Sequence, residues 1–181
     1  MNKKVVNREF IPLNISVLTI SDTRDEDTDI SGICLVEMLQ DSGHILHEKI
    51  IVPDDIEQIR KARLNWISNV RVDVVITTGG TGITGRDGTP EAIQVLLDKT
   101  IDGFGEIFRY LSYQKIKTST IQSRAIAGVA NGTYIFCLPG SKNACVMGWG
   151  ETVSYTHLRA HETPEHRGCR GGRGKKKGGG G

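Results

Sequence analysis

Val72-Asp-Val-Val-Ile-Thr-Thr-Gly-Gly-Thr-Gly-Ile-Thr-Gly-Arg-Asp-Gly-Thr-Pro-Glu91 decides the fold. Residues 72–77 are almost continuously apolar and rich in β-branched side chains, the pattern of a strand buried on both faces of a parallel sheet. Thr89-Pro90-Glu91 reads as a helix start: Thr is a capping residue, Pro suits the first turn, and Glu complements the positive helix end. Between them lies a glycine-rich loop, residues 79–88. A strand, a glycine loop and a helix in this order form the basic unit of an open α/β sheet.

Working outward, the same alternation repeats. Residues 15–20, ISVLTI, make a short β-rich run, followed by an acidic loop over 21–29. Residues 31–42 show helical spacing, with Ile33, Val36, Leu39 and Gln40 bracketing one face, and Gly43 stands where a C-terminal cap needs a left-handed residue. Residues 45–52 read as a strand. Asp54 or Asp55 can cap the helix that follows over 56–68, whose apolar positions are Ile56, Ile59, Leu64 and Ile67. Downstream, the helix begun at Thr89 is expected to run to about Asp98, and another covers 105–113. Strands at 125–129 and 133–138 flank Asn131-Gly132, a strong hairpin-turn signal. Pro139-Gly140-Ser141 closes the last strand and can open a final helix. The expected fold is three-layer α/β/α, with an open, mostly parallel sheet and an antiparallel edge hairpin. Ligands of such sheets bind beyond the carboxyl ends of the strands. The loops at Ser21-Asp22, Pro53-Asp54, residues 79–87 and Pro139-Gly140-Ser141 are therefore the informative ones.

Charge divides the chain. Seven of its 23 Lys and Arg, and two of its 21 Asp and Glu, lie in residues 152–181; residues 1–151 keep 16 and 19, a net of −3. A mildly acidic body gives no electrostatic footprint for nucleic acid. No apolar run approaches the ~20 residues that span a bilayer, and the N-terminus has no apolar segment of signal-peptide type. Cys34, Cys137, Cys145 and Cys169 form no C-x-x-C pair, as expected of reduced thiols in the cytoplasm. Residues 164–181, PEHRGCRGGRGKKKGGGG, carry too little apolar surface to offset the entropy of ordering. Residues 153–163, VSYTHLRAHET, resemble the in-frame translation of a transposase adapter used in DNA library preparation, and the Lys and Gly runs resemble translated homopolymers. The expected division is thus a domain over 1–151 and a non-native tail over 152–181.

Several groups have chemistry to offer. Gly80-Thr-Gly82-Ile-Thr-Gly85 fits G-x-G-x-x-G formally. In a dinucleotide fold, however, the third glycine lies at the helix start, and here Arg86 to Thr89 intervene. Gly85 is followed by Arg86-Asp87, not Lys-Ser or Lys-Thr, so the P-loop pattern fails too. What remains is a loop whose backbone N–H groups can converge on an anion such as phosphate; it also reads as a plain tight connection. Asp54 and Asp87 follow neighbouring strands, and two carboxylates beside a phosphate cradle suit Mg2+; each also reads as a helix cap. Arg86, Arg109 and Arg124 are candidate phosphate clamps or solvated surface residues. Ser119, Thr120 and Ser123 offer hydroxyls for phosphate or a pterin, or serve a turn. Cys137 reads as packing, and His44 and His47 as structural or exposed.

Taken together, Gly79-Gly-Thr-Gly-Ile-Thr84, Asp87-Gly-Thr-Pro-Glu91, Gly103-Phe-Gly-Glu-Ile-Phe-Arg109, Ser119-Thr-Ile-Gln-Ser-Arg124 and Leu138-Pro-Gly-Ser141 resemble the molybdenum cofactor biosynthesis protein B family, over residues 8–151. That family is related to the molybdopterin adenylyltransferases. The resemblance implies a homotrimer or homohexamer; charge, hydropathy and cysteine usage give the expectation of a cytoplasmic protein with neither nucleic acid nor membrane as partner. It implies binding of molybdopterin and, in active members, of ATP with Mg2+; AMP is joined to the terminal phosphate of molybdopterin and pyrophosphate is released. It makes Asp54 and Asp87 the catalytic, metal-holding pair, and Gly79, Gly80, Thr81, Gly82, Ser119, Ser123, Arg124, Pro139, Gly140 and Ser141 the substrate-binding set. Members lacking the first aspartate are non-catalytic; this chain keeps both. Two other readings stay open: a non-catalytic molybdopterin-binding scaffold, and a nucleotide hydrolase reusing the same loops.

Overall fold

The structure, a computed structural model, describes residues 10–157, with side chains through Ser154. Six strands form one sheet: β1 (Asn14–Ile20), β2 (Ile45–Val52), β3 (Val74–Thr78), β4 (Lys99–Thr100), β5 (Ile126–Ala130) and β6 (Thr133–Leu138), in the order β2-β1-β3-β6-β5-β4. β1 pairs in parallel with β2 and β3, and β3 with β6. β5 runs antiparallel to both β6 and β4. The helices are α1 (Ile30–Asp41), α2 (Ile56–Ile67), α3 (Thr89–Gln94), α4 (Asp102–Ile116) and α5 (Lys142–Met147). α4 leads into a 3-10 turn, Lys117–Gln122, and α5 into a π-helical segment, Gly148–His157.

Both faces of the sheet are covered, which is why its central strands are buried along almost their whole length and carry few polar side chains. Along β3, Val74 and Ile76 face a core shared with Leu35, Leu39, Phe104 and Phe108 of α1 and α4; Val75 faces one shared with Ile59, Trp66 and Ile93 of α2 and α3. The β6 side chains alternate likewise, Phe136 and Leu138 to the first core, Ile135 and Cys137 to the second. Three layers with an antiparallel edge are thus the observed architecture. The hairpin turn holds Asn131 and Gly132 at φ 47° and 77°, and Gly43 ends α1 at φ 81°, the left-handed geometry those residues tolerate.

Some local expectations give way. The helix begun at Thr89 stops at Gln94, and Asp98 N–H bonds to the Val129 carbonyl (2.8 Å), drawing the chain into the two-residue strand β4. Thr89 is not a side-chain cap: Gly88 occupies that position, and the Thr89 hydroxyl is buried with no hydrogen-bond partner among the described residues. α2 buries Ile59, Arg63, Trp66 and Ile67 while Leu64 is half exposed. The helix is thus turned so that the i, i+4, i+7, i+8 stripe faces the sheet. The expected 152–181 tail lies outside the described residues beyond His157. Within them, Thr152 and Val153 are buried, and Val153 packs into the α1/α4 core.

Arg63 is the outlier of that second core. It is fully buried, and its Nε and both terminal nitrogens have no hydrogen-bond partner among the described residues. Its polar neighbour is the Cys137 thiol, a weak acceptor; burial pushes the Arg63 pKa down and the Cys137 pKa up. An uncompensated buried cation costs stability that a well-packed apolar side chain of similar volume does not. Arg63→Met is therefore expected to raise unfolding stability by about 1–4 kcal/mol, read from urea denaturation midpoints. A lower midpoint would mean that the guanidinium has stabilising partners.

Candidate functional site

The topology concentrates loops at one edge. From β1 the chain passes to β2 on one side and then to β3 on the other, leaving a crevice at the carboxyl ends of β1 and β3; open α/β sheets bind ligands at such a switch. The chain leaves β3 through Gly79 and Gly80, at φ 108° and 60°. A Cβ on Gly79 would stand 2.1 Å from the Ile20 carbonyl oxygen, and one on Gly80 2.2 Å from Thr89 Oγ1 and 2.8 Å from Asp54 Oδ2. Glycine here serves both the left-handed backbone and the close approach of three segments.

A cavity of about 500 Å3 opens over this loop. It is lined by Gly79, Gly80, Thr81, Gly82, Asp87, Ser119, Ser123, Pro139, Gly140 and Ser141, so nine of the ten expected substrate residues share one wall system with one of the two expected aspartates. The N–H groups of Gly80 and Thr81 have no partner among the described residues; that of Gly79 donates to the Leu138 carbonyl (3.1 Å), and that of Gly82 points at the Asp87 carboxylate. Ser123 Oγ is buried and unpartnered among the described residues. Two free amides and the unsatisfied Ser123 hydroxyl here are the donor set a phosphate-bearing ligand would satisfy.

Asp54 and Asp87 both lie against the glycine loop. Asp55, not Asp54, caps α2, accepting from Gln58 N–H (2.9 Å). Asp54 turns toward Gly80 and accepts from Gly88 N–H (3.2 Å), while its own N–H donates to Asp22 Oδ1 (3.1 Å). Burial, and then the charges of Asp87 and Asp22, raise the Asp54 pKa, against the pull of the Gly88 N–H. Asp87 is held low, first by the Thr84 hydroxyl (2.5 Å) and also by the Thr84 and Gly82 N–H groups. Asp54 lines neither the cavity nor a neighbouring hollow of about 410 Å3 bounded by Ile56, Ile83, Thr84, Gly85, Asp87, Gly88, Glu91 and Arg124; Asp87 is the one residue common to both. No three His, Cys, Asp or Glu side chains converge as a metal cage among the described residues. Mg2+ needs no such cage, since it takes one or two carboxylates together with substrate phosphates. A divalent ion would also relieve the repulsion that raises Asp54.

The candidate arginines have other employment. Arg124 donates to the Gly82 carbonyl (2.6 Å), to the Asp87 carbonyl (2.5 Å) and to Glu91, bracing the loop from outside the cavity. Arg86 is 81% exposed and pairs with Asp22 (3.3 Å). Arg109 lines a separate hollow and points at the Ala125 carbonyl. Thr120 donates to the Arg109 carbonyl (3.4 Å), a turn role. The cation that does line the cavity is Arg24. Its signal was its place, the single basic residue in the acidic loop 21–29 after the first strand.

Fold and site together define an α/β protein with a cavity over a glycine-rich loop at the switch of its sheet. The profile of a family described as "Probable molybdopterin binding domain" matches residues 16–159, and the chain belongs to that family. It is 46% identical over 159 residues to molybdenum cofactor biosynthesis protein B of Escherichia coli (strain K12), covering 88% of this chain and 93% of that one. It is 50% identical to the protein of the same name from Bacillus cereus over 138 residues, 76% and 82% of the two chains. Among solved structures, a molybdenum cofactor biosynthesis protein B superposes with a TM-score of 0.81 at 42% identity, covering 88% and 98%. The tungsten cofactor synthesizing protein MoaB of Pyrococcus furiosus gives 0.73 at 38%, covering 83% and 97%.

Proposed function

We propose that this chain acts in molybdenum cofactor biosynthesis as a Mg2+-dependent molybdopterin adenylyltransferase, working in the cytoplasm as a homotrimer or homohexamer. The observation that carries the reading is the place of Asp87, on the wall shared by two hollows and beside Asp54 across one glycine loop. A reaction that joins two substrates needs two adjoining sites with charge control where they meet.

A terminal phosphate oxygen of molybdopterin attacks the α-phosphorus of ATP; the bond to the β-phosphate oxygen breaks, and pyrophosphate leaves. Gly80 and Thr81 offer N–H groups to a phosphate, and the hydroxyls of Ser119, Ser123 and Ser141 border the same cavity. Phe108 and Ile116 supply an apolar wall suited to a flat heterocycle. Asp54 and Asp87 would hold the metal ion, whose chemistry when bound is to neutralise phosphate charge. Arg124 keeps Asp87 in place through the loop backbone.

Pyrophosphate release from ATP is the test. Release should depend on molybdopterin and on Mg2+, and fall by about 100-fold or more in Asp54→Ala. Because burial and its acidic neighbours raise Asp54, the metal-binding ionised form is lost on acidification at a higher pH than for an ordinary carboxylate, and activity should fall there too. Pyrophosphate release unchanged in Asp54→Ala would remove Asp54 from the mechanism; ATP consumption without molybdopterin would favour a hydrolase.

A further inference from the structure

Among the residues lining the 500 Å3 cavity Arg24 is the one Lys or Arg, facing a wall whose one carboxylate is Asp87. Its guanidinium is anchored from behind. One terminal nitrogen donates to the Gly140 carbonyl (2.9 Å), and the other lies 3.7 Å from Asp29 Oδ1. Asp29 is fully buried and is itself fixed by the Thr19 hydroxyl (2.7 Å), the Gly32 N–H (2.9 Å) and Lys49 Nζ (3.1 Å). Ser31 Oγ donates to the same Gly140 carbonyl (2.7 Å), so the turn and the arginine are held as one unit. A guanidinium carries five N–H donors in a rigid fork. Two directions are taken up by Gly140 and Asp29, and the side chain keeps 31% of its surface exposed at the cavity wall.

We propose that Arg24 is the anion clamp of this cavity, binding a phosphate group of the substrate there through charge-assisted hydrogen bonds. The inference rests on the adenylyltransferase reading and deepens it. The phosphate comes either from molybdopterin, a monoester, or from the polyphosphate of ATP, and the arms of the test separate the two. Preorganisation explains why a buried carboxylate stands behind an arginine at an anion site: Asp29 fixes the arm before the ligand arrives, so less conformational entropy is lost on binding. Arg24 is a binding residue in this account, and Asp29 positions it.

The test uses the full chain with Arg24→Gln and Arg24→Lys, and measures affinity by calorimetry for molybdopterin, for ATP with Mg2+, and for a pterin without phosphate. Arg24→Gln is expected to weaken one phosphate-bearing ligand by about 10- to 100-fold, the loss for a hydrogen bond to a charged group. The phosphate-free pterin should bind as to the parent protein. Arg24→Lys keeps the charge without the fork and should fall between the two. The ligand that weakens identifies the phosphate. Unchanged affinity for both phosphate ligands overturns the inference, as does equal weakening of the phosphate-free pterin, since Arg24 would then only shape the Pro139-Gly140-Ser141 turn. If Arg24→Gln loses its thermal unfolding transition, Arg24→Lys decides alone on the same contrast. A parent protein that binds neither molybdopterin nor ATP defeats the adenylyltransferase reading itself, an outcome distinct from a parent that binds and an Arg24 variant that binds equally.

Discussion

Asp87→Asn is expected to lower AMP transfer by about 1,000-fold and to leave molybdopterin binding within about twofold. The substitution keeps shape and an acceptor oxygen. Asn Oδ1 can still take the Thr84 N–H and hydroxyl bonds that orient the native carboxylate (2.8 and 2.5 Å), and the Asp87 carbonyl that receives Arg124 is untouched. What disappears is the negative charge on the wall between the two hollows, and with it one of two proposed metal ligands. Such a loss acts on the reacting phosphates, where charge develops, more than on an uncharged pterin ring. Steady-state transfer and equilibrium binding of molybdopterin measure the two quantities separately. A parallel loss of both would mean that Asp87 serves the loop's shape, and the metal role would fall.

Gly79→Ala is expected to destabilise the fold by about 3–5 kcal/mol, a large share of a typical ~5–15 kcal/mol. Two costs combine. The backbone at φ 108° is one that side chains rarely adopt, worth about 1–3 kcal/mol. The added Cβ would also meet the Ile20 carbonyl oxygen at 2.1 Å; that oxygen belongs to the end of β1 and cannot swing aside as a side-chain tip would, so β1 and β3 must separate at their carboxyl ends. Because Gly79 N–H also ties the loop to Leu138 (3.1 Å), the strain reaches the end of β6, and molybdopterin binding should fall with stability. Urea denaturation of the variant gives the first quantity. A midpoint within the error of the parent would show that the loop relaxes without cost.

The layered fold was legible because the two periods of the chain differ so plainly. Residues 72–77 are apolar on both faces, which only a strand covered on both sides sustains, and Asn131-Gly132 admits little besides a hairpin. β4 escaped notice because Lys99-Thr100 carries no apolar pattern: two exposed residues pair with β5 through backbone bonds that sequence does not record. Arg63 went unseen for a related reason. A charged side chain in a helix reads as solvent-facing, and only the rotation of α2 about Ile59 and Trp66 places it inside. At the site, the glycine loop and the Pro139-Gly140-Ser141 turn stood out through residue types with narrow backbone roles. That Arg24 lines the cavity and Arg124 the neighbouring hollow was not legible: arginines look alike along a chain, and their partners are carbonyl oxygens of distant segments, Gly140 for one and Gly82 for the other.

The central claim is that one acidic, glycine-bedded edge joins a nucleotide to a pterin phosphate. ATP labelled at its α-phosphate, incubated with the full chain, Mg2+ and molybdopterin, tests it most directly through the chemical destination of the label. The account predicts label on molybdopterin, as its AMP ester, with unlabelled pyrophosphate released in equal amount. Label recovered in free AMP or ADP, or left in intact ATP while molybdopterin is bound, would contradict it.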